Sequence, residues 1–285
     1  MSQAILVALI GAGIQASRTP AMHEREGSEQ GLHYRYKLID LDALKLGPEA
    51  LPDLIIEAEQ QGFSGLNITF PCKQLVLPLL TNLTDEARAI GAVNTVILRD
   101  GQRIGHNTDC YGFAESFRRE LGDVPRECVV QLGAGGAGAA VAHGALSRGV
   151  KQLLIFDVDS DRAKRLAMNL ANQFGPCRAR AVDKLDSAMA TANGVIHATP
   201  TGMAKYPGLP LPVKLLKAEH WVAEIVYFPL ETELLHVAKN LGCRTMSGSG
   251  MAVFQAAEAF RLFTGITPDV ERMARHFASM GTSEV

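Results

Sequence analysis

Two stretches of this chain gather residues that could do chemistry. "GLNITFPCK", Gly65 to Lys73, brings an amide (Asn67), a hydroxyl (Thr69) and an amine (Lys73) to the end of a short apolar run. Asn67 and Thr69 are two apart, so on a strand they share a face. Pro71 has no N–H for a ladder and stops the strand. Two plainer readings compete. Asn67-Ile-Thr69 and Asn82-Leu-Thr84 match a glycosylation pattern, but "MSQAILVALIGAG" has no basic leader before its apolar run and does not read as a secretory signal. The other is that these residues cap a helix and Lys73 is solvated.

The second stretch, "VVQLGAGGAGAA", holds Gly133, Gly135 and Gly138 in G-x-G-x-x-G spacing, with Ala134 and Gly136 inside the turn. A strand precedes it and a helix follows. Gly133 allows the tight turn, Gly135 lets backbone approach a pyrophosphate at the helix N-terminus, and Gly138 permits close helix–strand packing. Asp157 closes the next strand about twenty residues past Gly138, where a carboxylate accepts the adenine ribose hydroxyls and repels a 2′-phosphate. Asp159 and Asp161 add negative charge. Arg162 is the one base in that turn, and its plainer role is an ion pair with a neighbouring acid. The expected cofactor is NAD, with NADP disfavoured.

Positioning these stretches requires alternating elements. "AILVALIGAG", "YRYKLID" and "FSGLNIT" read as strands, with helices "TPAMHEREGSEQG" and "PEALPDLIIEAEQQG" between them. "AVNTVILRDGQRIGHNTD" reads as a hairpin around Asp100-Gly101. From "ECVVQL" onward the alternation is cleaner, with "SDRAKRLAMNLANQF" a helix capped by Ser160. Strand–helix alternation predicts an α/β fold of parallel sheets covered by helices. We expect a doubly wound Rossmann dinucleotide-binding domain over residues 109–241. An N-terminal α/β substrate domain, 1–108, is completed by C-terminal helices within 242–285, leaving the active site in a cleft between the two.

Composition excludes several classes. The chain has 285 residues, 47% hydrophobic and 20% charged, enough for a sizeable core. A net charge of −2 gives no case for nucleic acid or an anionic membrane, and no apolar run reaches membrane-spanning length. Five scattered cysteines without C-x-x-C predict reduced thiols and a cytoplasmic protein. The eight histidines show no ligand spacing, so no metal is expected. Monomer and homodimer both stay open.

Further polar residues match the first stretch: Ser17 and Thr19 in "ASRTPAMH", Asn94 in "GAVNT", Asp109 in "GHNTD", and Gln255 in "MAVFQAAEAF". Together they suit a small polyhydroxylated molecule. With "GAGGAG", "ATPTGM", "VYFPLETELL" and "GSGMAVFQAAEAF", these motifs resemble, nearly end to end, the shikimate dehydrogenase family, in particular its quinate/shikimate dehydrogenase-like branch. The resemblance implies Lys73 and Asp109 as the catalytic pair. It implies Ser17, Thr19, Asn67, Thr69, Asn94 and Gln255 around a hydroaromatic acid. It also implies Thr199, Gly202, Met203 and Tyr227 on the nicotinamide side. Biosynthetic members usually have Ser-x-Ser where this chain has Ser17-Arg18-Thr19, and an Asn-Arg-Thr type NADP loop where it has Asp157-Val-Asp159. The implied reaction is interconversion of shikimate and 3-dehydroshikimate, and of quinate and 3-dehydroquinate as a second pair. Two alternatives stand beside it: a dehydrogenase for an amino-hydroaromatic acid, and a non-catalytic sensor of a hydroaromatic ligand.

Overall fold

The structure, a computed structural model, describes residues 4–280. Its elements run β1 (Ile5–Gly11), α1 (Thr19–Glu29), β2 (Tyr34–Asp40), α2 (Leu41–Leu44), α3 (Leu51–Gln60), β3 (Gly65–Ile68), β4 (Asn82–Leu83), α4 (Asp85–Ile90), β5 (Thr95–Arg99) and β6 (Gln102–His106). They continue as α5 (Thr108–Glu120), β7 (Cys128–Leu132), α6 (Gly136–Ser147), β8 (Gln152–Phe156), α7 (Ser160–Phe174), β9 (Ala179–Ala181), α8 (Leu185–Met189), β10 (Gly194–His197), β11 (Trp221–Glu224), α9 (Glu233–Asn240), β12 (Arg244–Met246), α10 (Gly248–Thr264) and α11 (Val270–Ser279). The chain divides into two compact units, one of Asp109–Ala252 and one of the segments on either side. Among the described residues no helix is long and apolar enough to cross a membrane.

The first unit holds a sheet in the order β2-β1-β3-β5-β6-β4. β1 pairs in parallel with β2 and β3, while β5 runs antiparallel to β3 and β6. The sheet is therefore mixed, because β5 and β6 form a hairpin. Its turn residues Asp100 and Gly101 both have positive φ, 52° and 71°, as a primed two-residue turn requires. Alternation along β1 sends Ala8 and Ile10 into a core shared with Leu51 and Ile55 of α3. Val7 and Leu9 go to the opposite face, against Phe260 and Phe263 of α10. Both faces are covered, so β1 is apolar throughout.

The second unit is a parallel sheet in the order β12-β11-β10-β7-β8-β9. Numbered from β7, this is the doubly wound order 3-2-1-4-5-6 read from the other edge. Leu132, Leu154, Val195 and Val222 bury one face against Met189, Leu234 and Ala238. Two expectations change. The second unit extends to Ala252, past the expected 241, because "RTM" forms the edge strand β12 beside β11; three residues are too short to show a period. The cap of α7 is Asp159, whose carboxylate accepts from the N–H groups of Asp161 and Arg162, and Ser160 is the first helical residue.

α11 closes the first unit against α1 through one buried carboxylate. Glu26, 1% exposed, accepts from Arg272 at 2.8 and 2.7 Å and from Asp269 N at 2.9 Å. Burial opposes the charge of Glu26, yet the guanidinium and these donors hold its pKa below the ordinary glutamate value. Arg272→Ala leaves that carboxylate without its guanidinium, with Asp269 N and Gln30 Nε2 as its remaining donors. The variant should be less stable, read as a lower midpoint of urea denaturation. The folded-state pKa lies below the unfolded one. The wild-type contribution is therefore complete above the ordinary glutamate range and is lost as pH falls through the folded value; the variant should lack that part of the acid dependence.

Candidate functional site

In the first unit, the parallel strands β1 and β3 end at the same edge where antiparallel β5 begins and β6 ends. The segments there carry Ser17 after β1 with Thr19 opening α1, Thr69 and Lys73 after β3, Asn94 before β5, and Thr108 opening α5 after β6. Ala12 N donates to Phe70 O at 2.9 Å and Val93 N donates to Lys73 O at 2.9 Å, tying these loops together. Gly11 is required at this crossing, since a Cβ would run into the Thr69 side chain and the Phe70 carbonyl. Lys73, Thr69, Ser17, Thr19 and Gln255 are half-buried.

Behind the loops lies a buried polar network. Asn67 donates to Asn94 O at 3.2 Å and Thr95 Oγ1 at 3.0 Å, and accepts from Tyr36 Oη at 2.7 Å. Asn94 donates to Thr108 Oγ1 at 3.0 Å and accepts from Thr108 N at 2.7 Å. Both amide protons of Asn67 and one lone pair of its carbonyl oxygen are engaged within the protein, which leaves one acceptor site on that oxygen. Asn67 is 4% exposed, which removes the glycosylation reading. Thr84 caps α4 through Ala87 N, as a turn residue should. His23 of "TPAMH" is core: burial pushes its pKa down to about 3, and Nδ1 lies 2.8 Å from Tyr34 Oη. Asp109, 6% exposed, stands in the first turn of α5.

The loop bearing Ser17 and Thr19 is held by Asp40, at the end of β2 and 3% exposed. Its carboxylate accepts from Gly13 N at 2.9 Å, Ile14 N at 3.1 Å, Gln15 Nε2 at 2.9 Å and Asp42 N at 3.1 Å. Desolvation opposes its charge, but these four donors together keep the pKa below the ordinary aspartate value. Sequence reasoning missed this residue; a single acid ending the alternating "YRYKLID" was the signal.

In the second unit the glycine turn follows β7 and opens α6. Gly133 has φ +102°, and Gly135 has open space where a Cβ would stand. Gln131, wholly buried, pins the turn by donating to Gly133 O at 2.9 Å and Gly138 O at 2.8 Å. Asp157, one residue past β8, accepts from Ala134 N at 2.7 Å and Asp159 N at 2.9 Å. Arg162 lies 3.8 Å from Asp157 and 3.6 Å from Asp159. Thr199, Gly202 and Met203 follow β10, and Tyr227 follows β11. All these residues stand at the carboxyl edge, where doubly wound sheets take their ligands. A dinucleotide fits here: open space at Gly135, the first amides of α6 and a carboxylate beyond β8 are what its pyrophosphate and ribose need. Gln131, and a His197–Glu224 pair also in buried strands, were not singled out from sequence, though a polar residue inside an apolar run marks each.

A doubly wound unit with this turn and acid defines a class, the dinucleotide-binding oxidoreductases. Residues 9–96 match the family model of the shikimate dehydrogenase substrate binding domain, and residues 248–276 that of the shikimate 5'-dehydrogenase C-terminal domain. The chain is 56% identical to a shikimate dehydrogenase (NADP(+)) of Streptomyces avermitilis, over 98% of this chain and 97% of that protein. It is 47% identical to a quinate/shikimate dehydrogenase (NAD(+)) of Corynebacterium efficiens, over 97% and 98% of the two chains. The fold is similar to that of quinate dehydrogenase from Corynebacterium glutamicum in complex with NAD, with TM-score 0.92, 45% identity, and 98% and 100% of the chains covered. The chain belongs to the shikimate dehydrogenase family. It is an NAD(P)-dependent oxidoreductase, and relatives of this kind do not favour the sensor reading.

Asp40→Ala removes the acceptor for Gly13 and Ile14. Hydrogen bonds to a charged group contribute about 1.5–3 kcal/mol, so hydrogen-exchange protection of those two amides should fall roughly 10- to 100-fold while β1 amides are unchanged. In the wild type, the same loss should set in as pH falls through the lowered Asp40 pKa and be absent above the ordinary aspartate range.

Proposed function

We propose that the protein interconverts shikimate and 3-dehydroshikimate, with quinate as a weaker second substrate, and that NAD is its preferred cofactor. The observation that supports this most directly is the amine-bearing turn after β3. Its Lys73 carbonyl accepts from Val93, next to the Asn94 of the buried polar network. Bound dinucleotide supplies a nicotinamide ring that takes up or returns hydride. The ring hydroxyls and carboxylate of the substrate meet Ser17, Thr19, Asn67, Thr69, Asn94 and Gln255. Lys73 takes the proton of the reacting hydroxyl during oxidation and returns it during reduction. Asp109 orients Lys73. Thr19 adds a methyl beside its hydroxyl and is stiff at χ1, so the extra hydroxyl of quinate fits less well.

For the cofactor, a carboxylate at Asp157, with Asp159 adding negative charge nearby, would repel a 2′-phosphate. The Arg162 guanidinium lies within ion-pair reach of both acids, so its charge is shared with them. Relatives are named for either dinucleotide, and the acidic turn of this chain supports NAD.

The test is an NADH absorbance assay with shikimate and quinate as substrates and NAD and NADP as cofactors. Shikimate with NAD should give the highest kcat/KM. Lys73→Ala should lose at least the roughly 10²–10⁴-fold that positioned acid–base catalysis contributes, while shikimate still binds by calorimetry; near-normal turnover would remove Lys73 from the mechanism.

Asp157→Ala should raise the KM for NAD and narrow its advantage over NADP. A wild-type enzyme that works better with NADP would overturn the reading of the acidic turn and place Arg162 on the phosphate.

A further inference from the structure

Arg18 stands between two candidate substrate groups, Ser17 and Thr19, at a place where local preferences oppose an arginine. It is the N-cap of α1. That position favours a short side chain whose oxygen accepts a free amide of the first turn, and a guanidinium has donors only. The positive end of the helix dipole also disfavours a cation. The Arg18 side chain makes no cap hydrogen bond.

It reaches α11 instead. Its guanidinium carbon lies 5.2 Å from the ring centroid of Phe277, and Nη1 donates to Phe277 O at 3.5 Å. Phe277 is in the last turn of α11 and is 2% exposed. A helix leaves its last carbonyls without intrahelical partners, and a cation is favoured beside them. The ring face attracts the same cation. The hydrogen bond is long, so the contact rests mainly on the ring. An arginine misplaced at the start of α1 is thus well placed at the end of α11.

The helix it reaches is itself fixed. About two turns further along α1, Glu26 takes Asp269 N and the Arg272 guanidinium at the start of α11. α1 and α11 therefore run antiparallel and are joined near both ends. The backbone around Arg18 has little slack. Ser17 N donates to Ile14 O at 2.9 Å, Thr19 N to Ser17 Oγ at 3.4 Å, and Met22 N to Arg18 O at 3.1 Å. Asp40 fixes the start of the same segment through Gly13 and Ile14. The turn that carries both hydroxyls is held at its start from β2 and at its end from α11.

We propose that Arg18 is a positioning residue: seated on Phe277, it sets where the Ser17 and Thr19 hydroxyls stand, and so makes α11 part of substrate recognition. The proposal rests on the reading of Ser17 and Thr19 as substrate groups.

The test is steady-state kinetics with shikimate and NAD. Arg18→Met keeps an apolar stem and removes the cation. It should raise the KM for shikimate roughly three- to tenfold, the worth of one partly buried cation–ring contact, with kcat and the KM for NAD within about twofold of wild type. Phe277→Leu keeps the position apolar but removes the ring face. It should act in the same direction, and the double variant should add little, since both changes remove one interaction. Arg18→Lys returns the cation and should recover part of the loss. A contact that only docks α11 would lower the urea midpoint of these variants and leave the shikimate KM where it was. That result would overturn the proposal, as would a rise in KM shared equally by NAD. Ser17→Ala and Thr19→Ala separate the two readings. If both leave the shikimate KM unchanged, the substrate reading fails and the proposal with it. If either raises it while Arg18→Met does not, the proposal alone fails.

Discussion

Where parallel strands end, the backbone N–H groups of the departing loops lose their ladder partners, and a buried N–H without an acceptor is costly. Both units meet this constraint with the same device. A carboxylate just beyond or at the end of the second strand accepts amides from the loop after the first. Asp40 takes Gly13 and Ile14 in one unit, and Asp157 takes Ala134 in the other. The loop after β1 carries the candidate substrate groups Ser17 and Thr19. The loop after β7 is the glycine turn. In each unit the geometry of the ligand-facing backbone depends on one acid reaching back across a strand pair.

The polar network behind the first loop set is built on the same logic. Tyr36, Asn67, Asn94, Thr95 and Thr108 would each be expensive to bury alone. Together they satisfy one another across β2, β3, β5 and the start of α5. Such a network has few alternative arrangements once every donor is matched. A ligand at that sheet edge would meet groups already oriented, which reduces the ordering cost of binding.

Buried or half-buried acids are handled differently at two places on the second sheet. At the β8 turn, Asp157 accepts from Ala134 N and Asp159 N, Asp159 accepts from Asp161 N and Arg162 N, and one partly exposed arginine lies near both acids. At the ends of β10 and β11, Glu224 is shut away from solvent, with Val226 N, Thr232 Oγ1 and His197 Nδ1 in hydrogen-bonding distance. The first arrangement borders solvent through Asp159 and Arg162. The second lies wholly inside, and its chain of hydrogen bonds ends at the half-buried Thr199.

The local pattern was enough for much of this. Glycines at 133, 135 and 138 with an acid at 157 specify a dinucleotide turn, because only that backbone needs those residues at that spacing. Asp100-Gly101 specifies the hairpin, because both positions require positive φ. The motifs in order identify the family. What the sequence could not determine were relations between residues distant along the chain. Asp40 and Gly13, Gln131 and Gly138, Glu26 and Arg272, and His197 and Glu224 each read as an isolated polar residue until strand register and helix docking bring the partners within hydrogen-bonding distance. The edge strand β12 was hidden for the same reason: three residues have no period of their own and become a strand by pairing with β11. Local spacing encodes conformation, while the satisfaction of a buried charge is a property of the packed tertiary structure, and that decided how the ligand-facing loops are held.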